Sequence, residues 1–465
     1  MKYLITLFLI GRLSLQVVAQ VNKPKQTSDI SKISEVLKTS EISDVSETLT
    51  LERAIAMTLE NNQGLKIQQR QVDIAETNIF PGNAGLVPTI SLQGNASYQS
   101  NDTDGVIRTF QENPATVNIS DRAAATTTYS AVVQADYVLL GGFAGRYQYQ
   151  LLKDERDLAY FQRQATINQT IVSVSSLFLE IAKLQSQEEL LARNVKIGEE
   201  RLKKVEDQFE FGKVTGLTVL RTKTDLNQDR TSLDNVLVAK NNLKRDLTFL
   251  IGLDADHNYR VTATYQPPPA TNIADLKGDV EANNPLVQLS DKGVEVAQKQ
   301  YQVSSTVRMP TINAFANYGY FNQENDLQQL AEIETLGYTL GVGIRYNIFS
   351  GGRTNRGIQN AKLNREISQF QKEETRDRVL ADAVKEYNNL ILFQGQLERE
   401  EENINTFRES YTRTEERFYN GKVSLLDLRD AQNALLNAEI TLNNLKADIM
   451  KSSIRLEALK GKLLK

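Results

Sequence analysis

The chain repeats itself, and that limits its possible folds more than any other feature. An internal repeat means one supersecondary unit used twice, with both copies sharing one packing plan. Asn61-Asn62 matches Asn283-Asn284, Ala75 matches Ala297, Pro88-Thr89-Ile90 matches Pro310-Thr311-Ile312 and Tyr98 matches Tyr320, each pair 222 positions apart. Beyond Tyr98 the offset becomes 209. Tyr137 matches Tyr346, Phe209 matches Phe418, and Gly212-Lys213-Val214 matches Gly421-Lys422-Val423. The first copy therefore carries a connection 13 residues longer between Tyr98 and Tyr137. Residues related by these offsets are twins. The copies run over 49–252 and 271–465. A linker, 253–270, joins them, and its Pro267-Pro268-Pro269 predicts a stiff extended segment.

Each copy reads helix, strand, strand, very long helix, turn, helix. The strands alternate with period two. In 88–99, Ile90, Leu92, Ala96 and Tyr98 fall on one face, and Thr89, Ser91, Gln93, Asn95, Ser97 and Gln99 on the other. In 336–348, Leu336, Tyr338, Leu340, Val342, Ile344, Tyr346 and Ile348 oppose a face of small and polar residues. Strands over 129–139 and 310–320 follow the pattern less strictly. Lengths of about 11 to 13 residues suit tilted strands with one face in lipid and one in water. A half-buried soluble sheet is the plainer reading. Residues 145–211 and 353–420 contain no proline. As helices they would each span about 100 Å. Apolar residues recur at steps of three and four, as in Val174, Ile181, Leu184, Leu191, Val195, Leu202, Val205 and Phe209, and again in Ile404, Phe407, Tyr411 and Phe418. Such seams predict helices packed side by side with left-handed supercoiling.

Composition removes several function classes. With no Cys and a single His, His257, the chain has no disulfide, thiolate zinc site or iron–sulfur cluster. His257 stands in Asp254-Ala255-Asp256-His257, where a surface loop outweighs a metal site. A net charge of -4 gives no footprint for nucleic acid. No nucleophile–base pair or phosphate-cradling glycine loop supports an enzyme, and no cofactor is expected. Lys2, the apolar run Tyr3 to Ile10 and the small residues at Val17-Val18-Ala19 predict a signal peptide over 1–19. Residues 20–48 follow as a flexible lead-in rich in Ser, Thr, Lys and Glu. No later run reaches about 18 consecutive apolar residues, so a chain spanning a membrane must do so as a closed barrel.

Four strands are too few for a barrel, since the smallest known have about eight, and open edges are not tolerated in lipid. Copies of the chain must then share one, with eight strands from two or twelve from three. Long helices with polar faces beside apolar seams can form the wall of a wide tube. A soluble periplasmic coiled-coil scaffold is the rival architecture.

Specific residues carry a family resemblance. Leu49-Thr50-Leu51-Glu52-Arg53-Ala54-Ile55 with Asn61-Asn62, Pro88-Thr89-Ile90-Ser91-Leu92, Tyr346-Asn347-Ile348-Phe349-Ser350-Gly351-Gly352-Arg353 and Gly421-Lys422-Val423-Ser424-Leu425-Leu426-Asp427-Leu428-Arg429-Asp430-Ala431 resemble, in order, landmarks of TolC-family outer-membrane efflux proteins. The resemblance implies a mixed α and β fold. Three chains would complete a twelve-stranded β-barrel in the outer-membrane lipid, continuous with an α-helical barrel in the periplasm. It also implies passive export of drugs, metals or proteins, as in multidrug efflux or type I secretion. Partners would be a periplasmic adaptor and an inner-membrane pump of resistance-nodulation-division, ABC or major-facilitator type.

On that resemblance Asp427 and Asp430 ring the periplasmic mouth, where three copies of each carboxylate would favour cations. Ser424 with Asp427 also reads as a capping box. The twin positions hold Thr218 and Arg221, so any acidic ring comes from one copy. The tips Gly212, Lys213, Val214 and Thr215, and Gly421, Lys422, Val423 and Ser424, are helix–helix turns, and the resemblance makes them adaptor contacts. Asp136 and Arg345 are twins on the polar strand face and would face the barrel lumen, where plain solvated residues outweigh a pairing of the two. Tyr98, Tyr129, Tyr137, Tyr318, Tyr320, Tyr338 and Tyr346 suit interfacial girdles or ordinary sheet packing.

Overall fold

The computed structural model describes residues 47–108, 116–254, 259–268, 272–326 and 331–463. The signal peptide, His257 and most of the lead-in lie outside them. Element order is β1 (Glu47–Leu49), α1 (Leu51–Asn61), α2 (Gln63–Thr77), β2 (Thr89–Arg108), β3 (Thr116–Gly141), α3 (Ala144–Glu210), α4 (Gly216–Ile251) and β4 (Tyr259–Val261). Then follow α5 (Ile273–Asn283), α6 (Pro285–Thr306), β5 (Thr311–Asn325), β6 (Glu332–Arg345), α7 (Arg353–Tyr419) and α8 (Leu425–Leu459). Helices α3 and α7 are both 67 residues long.

The Asn-Asn pairs show why these helices start where they do. Asn62 Oδ1 accepts from the Leu65 N–H at 3.1 Å and caps α2, while its Nδ2 donates to the Leu250 carbonyl at 2.9 Å. Asn284 repeats both roles, accepting from Leu286 N–H at 2.9 Å and donating to the Leu459 carbonyl at 2.8 Å. One side chain thus satisfies an orphan donor at one helix start and an orphan acceptor at another helix end. Gly252 and Gly461 follow those ends with φ of 71° and 68°. A Cβ on Gly252 would stand 2.7 Å from Cβ of Asn61, so the close approach requires glycine as much as the backbone angle does.

Two apolar cores flank this junction. Val174, Phe178, Ile181, Leu247 and Ile251 form the first with Ala54, and β1 pairs in parallel with β4 over it through Leu49, Tyr259 and Val261. The end of the expected lead-in is therefore a strand. Leu276, Val280, Ala383, Leu390, Ile449 and Leu456 form the second. Twin positions trade size between the cores, Ala54 and Val174 in one against Leu276 and Ala383 in the other. Helix α3 contains a window with mean hydropathy 1.2, long enough to cross a membrane by composition, yet 44% of it is buried among neighbouring elements. The predicted seams hold at Val174, Ile181, Leu191, Val195, Val205 and Ile404, whereas Phe209 and Phe407 are exposed and Tyr411 and Phe418 half-buried.

Strands β2, β3, β5 and β6 form one antiparallel sheet in that order. Among the described residues it is open, with β2 and β6 as its edges and no closed barrel in one chain. The first hairpin is far longer than expected, 20 and 26 residues against 15 and 14 in the second. Alternation fades after Gln99 because Ser100-Asn101-Asp102-Thr103-Asp104 is polar on both faces, yet the ladder continues to Arg108 opposite Thr116. Strand β6 ends at Arg345, short of the expected 348. The twin stretch 137–140 of β3 is held by β5, whereas Tyr346–Phe349 has no neighbour on the open edge of one chain.

Candidate functional site

The sheet has two unlike faces. Register places Leu92, Val133, Tyr318 and Tyr338 side by side, and likewise Ile90, Ala135, Ala316 and Leu340. This face also holds Tyr98, Tyr129, Tyr137 and Tyr320, and Leu92 on it is 75% exposed. The opposite face carries mostly Ser, Thr, Asn, Gln and Gly, interrupted by Val132, Phe315 and Phe321, with Asp136 beside Phe315 and Arg345 near its helical end. Asp136 faces Thr89 and Arg345 faces Thr311, which are twin pairs, so the two hairpins share one register. Within a chain β5 separates the two charges, and Asp136 takes two hydrogen bonds from Gln134 Nε2 at 2.8 and 3.0 Å. Both side chains are exposed.

At the far end of the long helices the two tips are built alike. Gly212 N–H donates to the Phe209 carbonyl and Lys213 N–H to that of Gln208, at 2.9 and 2.8 Å. Gly421 and Lys422 do the same to Phe418 and Arg417, both at 2.9 Å. With φ of 66° and 70° the glycines give each long helix a left-handed stop. Lys213 and Lys422 are exposed, and Val214 and Val423 half-buried. The restarts differ. Ser424 and Asp427 form a reciprocal capping box, with Asp427 N–H donating to Ser424 Oγ at 3.2 Å and Ser424 N–H to Asp427 Oδ2 at 2.8 Å. The bond from the Ser424 hydroxyl, followed by that from its backbone N–H, holds the Asp427 carboxyl below the usual aspartate range. Thr215 starts α4 with no side-chain cap, its Oγ1 lying 3.2 Å from that of Thr218. Asp427 and Asp430, three residues apart, share one exposed face of α8.

Behind the tips lies a polar cluster that the sequence reading did not assign. Arg429 on α8 grips Asp229 on α4 with two bonds, at 2.8 and 2.5 Å, and the side chains are only 12% and 9% exposed. Burial opposes the Arg429 charge, but hydrogen bonding and attraction to Asp229 outweigh it, so the pKa stands above the usual arginine value. Arg201 on α3 is buried, donates to Gln432 Oε1, and feels the Arg429 charge; burial first, then Arg429, lowers its pKa. Gln432 Nε2 in turn donates to Asn194. Tyr411 on α7 donates to Glu415 at 3.0 Å, and burial followed by Glu415 pushes its pKa up. A signal existed: Asp229 sits on the same seam as buried Leu226 and Val236, where a charge demands a partner.

The chain thus joins a sheet with one apolar face, open at both edges, to long helices that end in an acid-bearing tip. The family described as Outer membrane efflux protein matches residues 54–253 and 276–462. The chain belongs to that family, an assignment that makes it an outer-membrane efflux protein and not an enzyme. It is similar to the outer membrane protein TolC of Vibrio cholerae, 22% identical over 87% of this chain and 89% of that protein. It is also similar to the probable efflux pump outer membrane protein TtgC of Pseudomonas putida, 21% identical over 84% of this chain and 78% of that one. The fold matches the Campylobacter jejuni CmeC outer membrane channel with a TM-score of 0.71 at 16% identity, covering 95% of this chain and 94% of that one.

Proposed function

We propose that three copies of this chain form a passive outer-membrane export channel, fed by a periplasmic adaptor and an inner-membrane pump. One observation carries the reading: contacts made inside the chain lack their twins at its two sides. Strand β3 pairs with β5, but their twins β6 and β2 are free edges. Helix α6 packs against both α3 and α7, whereas its twin α2 packs on α3 and leaves Ile67 and Ile74 exposed. On α7 the exposed Leu363, Ile367 and Phe370 await a neighbour. Completing each missing twin contact joins β6 and α7 of one chain to β2 and α2 of the next. Two efflux repeats, 49–252 and 271–465, then circle one axis. Closure satisfies the open ladder, which lipid would not tolerate. The apolar face turns outward with its tyrosines as girdles, and the polar face lines a lumen.

At the other end, Asp427 and Asp430 would ring the periplasmic mouth, and the two glycine tips would present their exposed lysines to the adaptor. The names of the similar TolC, TtgC and CmeC proteins accord with this role, and TtgC is described as part of an efflux pump.

The chain has no cysteine, so engineered pairs report without background. The twin of the Val133–Tyr318 pair is Val342 of one chain opposite Ala96 of the next. Ala96→Cys with Val342→Cys should give oxidised ladders that stop at three chains in protein that needs detergent for extraction. Detergent-free protein, or a ladder that ends at two, would refute the trimeric barrel and favour a soluble helical scaffold.

A further inference from the structure

We propose that Asp136 and Arg345, separated by a strand within the chain, become one level, six-membered ring of alternating charge at the helical end of the barrel lumen. The inference rests on the channel reading and adds a selectivity determinant to it.

The placement follows from register. The β2–β3 and β5–β6 hairpins pair identically at twin positions, Thr89 with Asp136 and Thr311 with Arg345. If β6 meets the next chain's β2 as β3 meets β5, each hairpin is related to the next by rotation about the barrel axis. Rotation about that axis preserves height, so twins stand level although the strands are tilted. Asp136 and Arg345 are twins, 209 positions apart, and both lie on the polar face. Three chains therefore set three carboxylates and three guanidiniums alternately around one circle.

Over the stretch where all four strands are paired, no other charge on that face competes with them. Between Thr89 and Gln99, Thr126 and Gln134, Thr311 and Gln323, and Thr335 and Gly343, the alternate positions on the polar face hold no Asp, Glu, Lys or Arg. The ring is thus the charge filter of the paired barrel, and it sums to zero. Neutral donors, the Gln134 amide hydrogens, hold the Asp136 carboxylate without cancelling its charge. The balance lets cations and anions pass alike at this level and presents both signs to a solute that carries both. Removing one sign exposes the other.

The test is reversal potential in planar bilayers under a salt gradient, on trimers recovered from detergent. Arg345→Gln leaves three carboxylates and should raise the cation-to-anion permeability ratio about fivefold, because roughly 0.8 RT of screened work, from a wall about a Debye length from the axis, acts with opposite sign on the two ions. Asp136→Asn should lower it by a similar factor. The double variant and the exchange Asp136→Arg with Arg345→Asp should both return to the wild-type ratio. Conducting trimers in which the single variants shift alike, or not at all, would overturn the ring while leaving the channel intact. A wild-type protein that forms no channel would overturn both readings.

Discussion

Replacing Asp229 by Ala tests whether the polar cluster behind the tips holds α4 to α8. The substitution removes both acceptors of Arg429, whose side chain is 12% exposed. It also leaves two guanidiniums, Arg429 and Arg201, near each other with less carboxylate between them. Breaking a buried pair from one side costs about 3–5 kcal/mol, because the remaining charge is left uncompensated. Asp225 also attracts Arg429 and offsets part of that loss, which favours the lower end. At 1.36 kcal/mol per decade, amide exchange in α4 around 225–236 and in α8 around 425–436 should quicken by about two to four decades. Exchange around the Asn62 and Asn284 junctions should hold still. Hydrogen–deuterium exchange on the detergent-solubilised protein reads both regions at once. Arg429→Met added to Asp229→Ala removes the stranded charge and should restore part of the protection. An exchange change below tenfold in the single variant, or a double variant looser than the single, would refute the reasoning.

Two further outcomes follow from burial. Phe178 is fully buried in the first core, and Phe178→Ala should cost about 3–5 kcal/mol, seen as a lower denaturation midpoint; an unchanged midpoint would contradict the core assignment. Asp154 on α3 has a buried Oδ2 without a hydrogen bond, and burial raises its pKa above the ordinary aspartate value. A raised acid favours folding below its unfolded pKa, and that contribution is lost as pH rises through the folded value. Asp154→Asn should match wild type in acid and exceed it in thermal stability at neutral pH; equal stability at both would show that the carboxylate finds solvent.

Periodicity made much of the framework legible. The proline-free stretches and their heptad seams marked α3 and α7 within one residue at each end, because a long helix shows its period many times over. The strands were legible only where one face is apolar. Past Gln99 both faces are polar, so the ladder to Arg108 left no alternation to read. β1 lasts three residues and is held by a partner about 200 positions away, which no local pattern reveals. At the tips the capping box was readable because Ser424 and Asp427 are three residues apart. The Asp229–Arg429 pair was not, because its members are 200 positions apart and join different copies of the repeat.

That last contrast shows how the two copies have diverged. Positions that set the backbone agree between twins: Asn62 with Asn284, Gly252 with Gly461, Gly212 with Gly421. Several positions that carry charge do not, although the tip lysines Lys213 and Lys422 agree. Asp229 has Ala438 as its twin, Arg429 has Leu220, Asp427 has Thr218, and Asp136 has Arg345. A wall segment needs the same helix starts and stops in both copies, since either copy must fit the same neighbours. Its lumen and its tips are under no such constraint, because charges there meet solvent, solute or the opposite copy. Equal backbones with unequal charges turn two near-identical units into a segment whose sides differ. In the proposed trimer, six units of two kinds would then carry threefold patterns, such as an acid ring from one copy alone, on a frame close to sixfold.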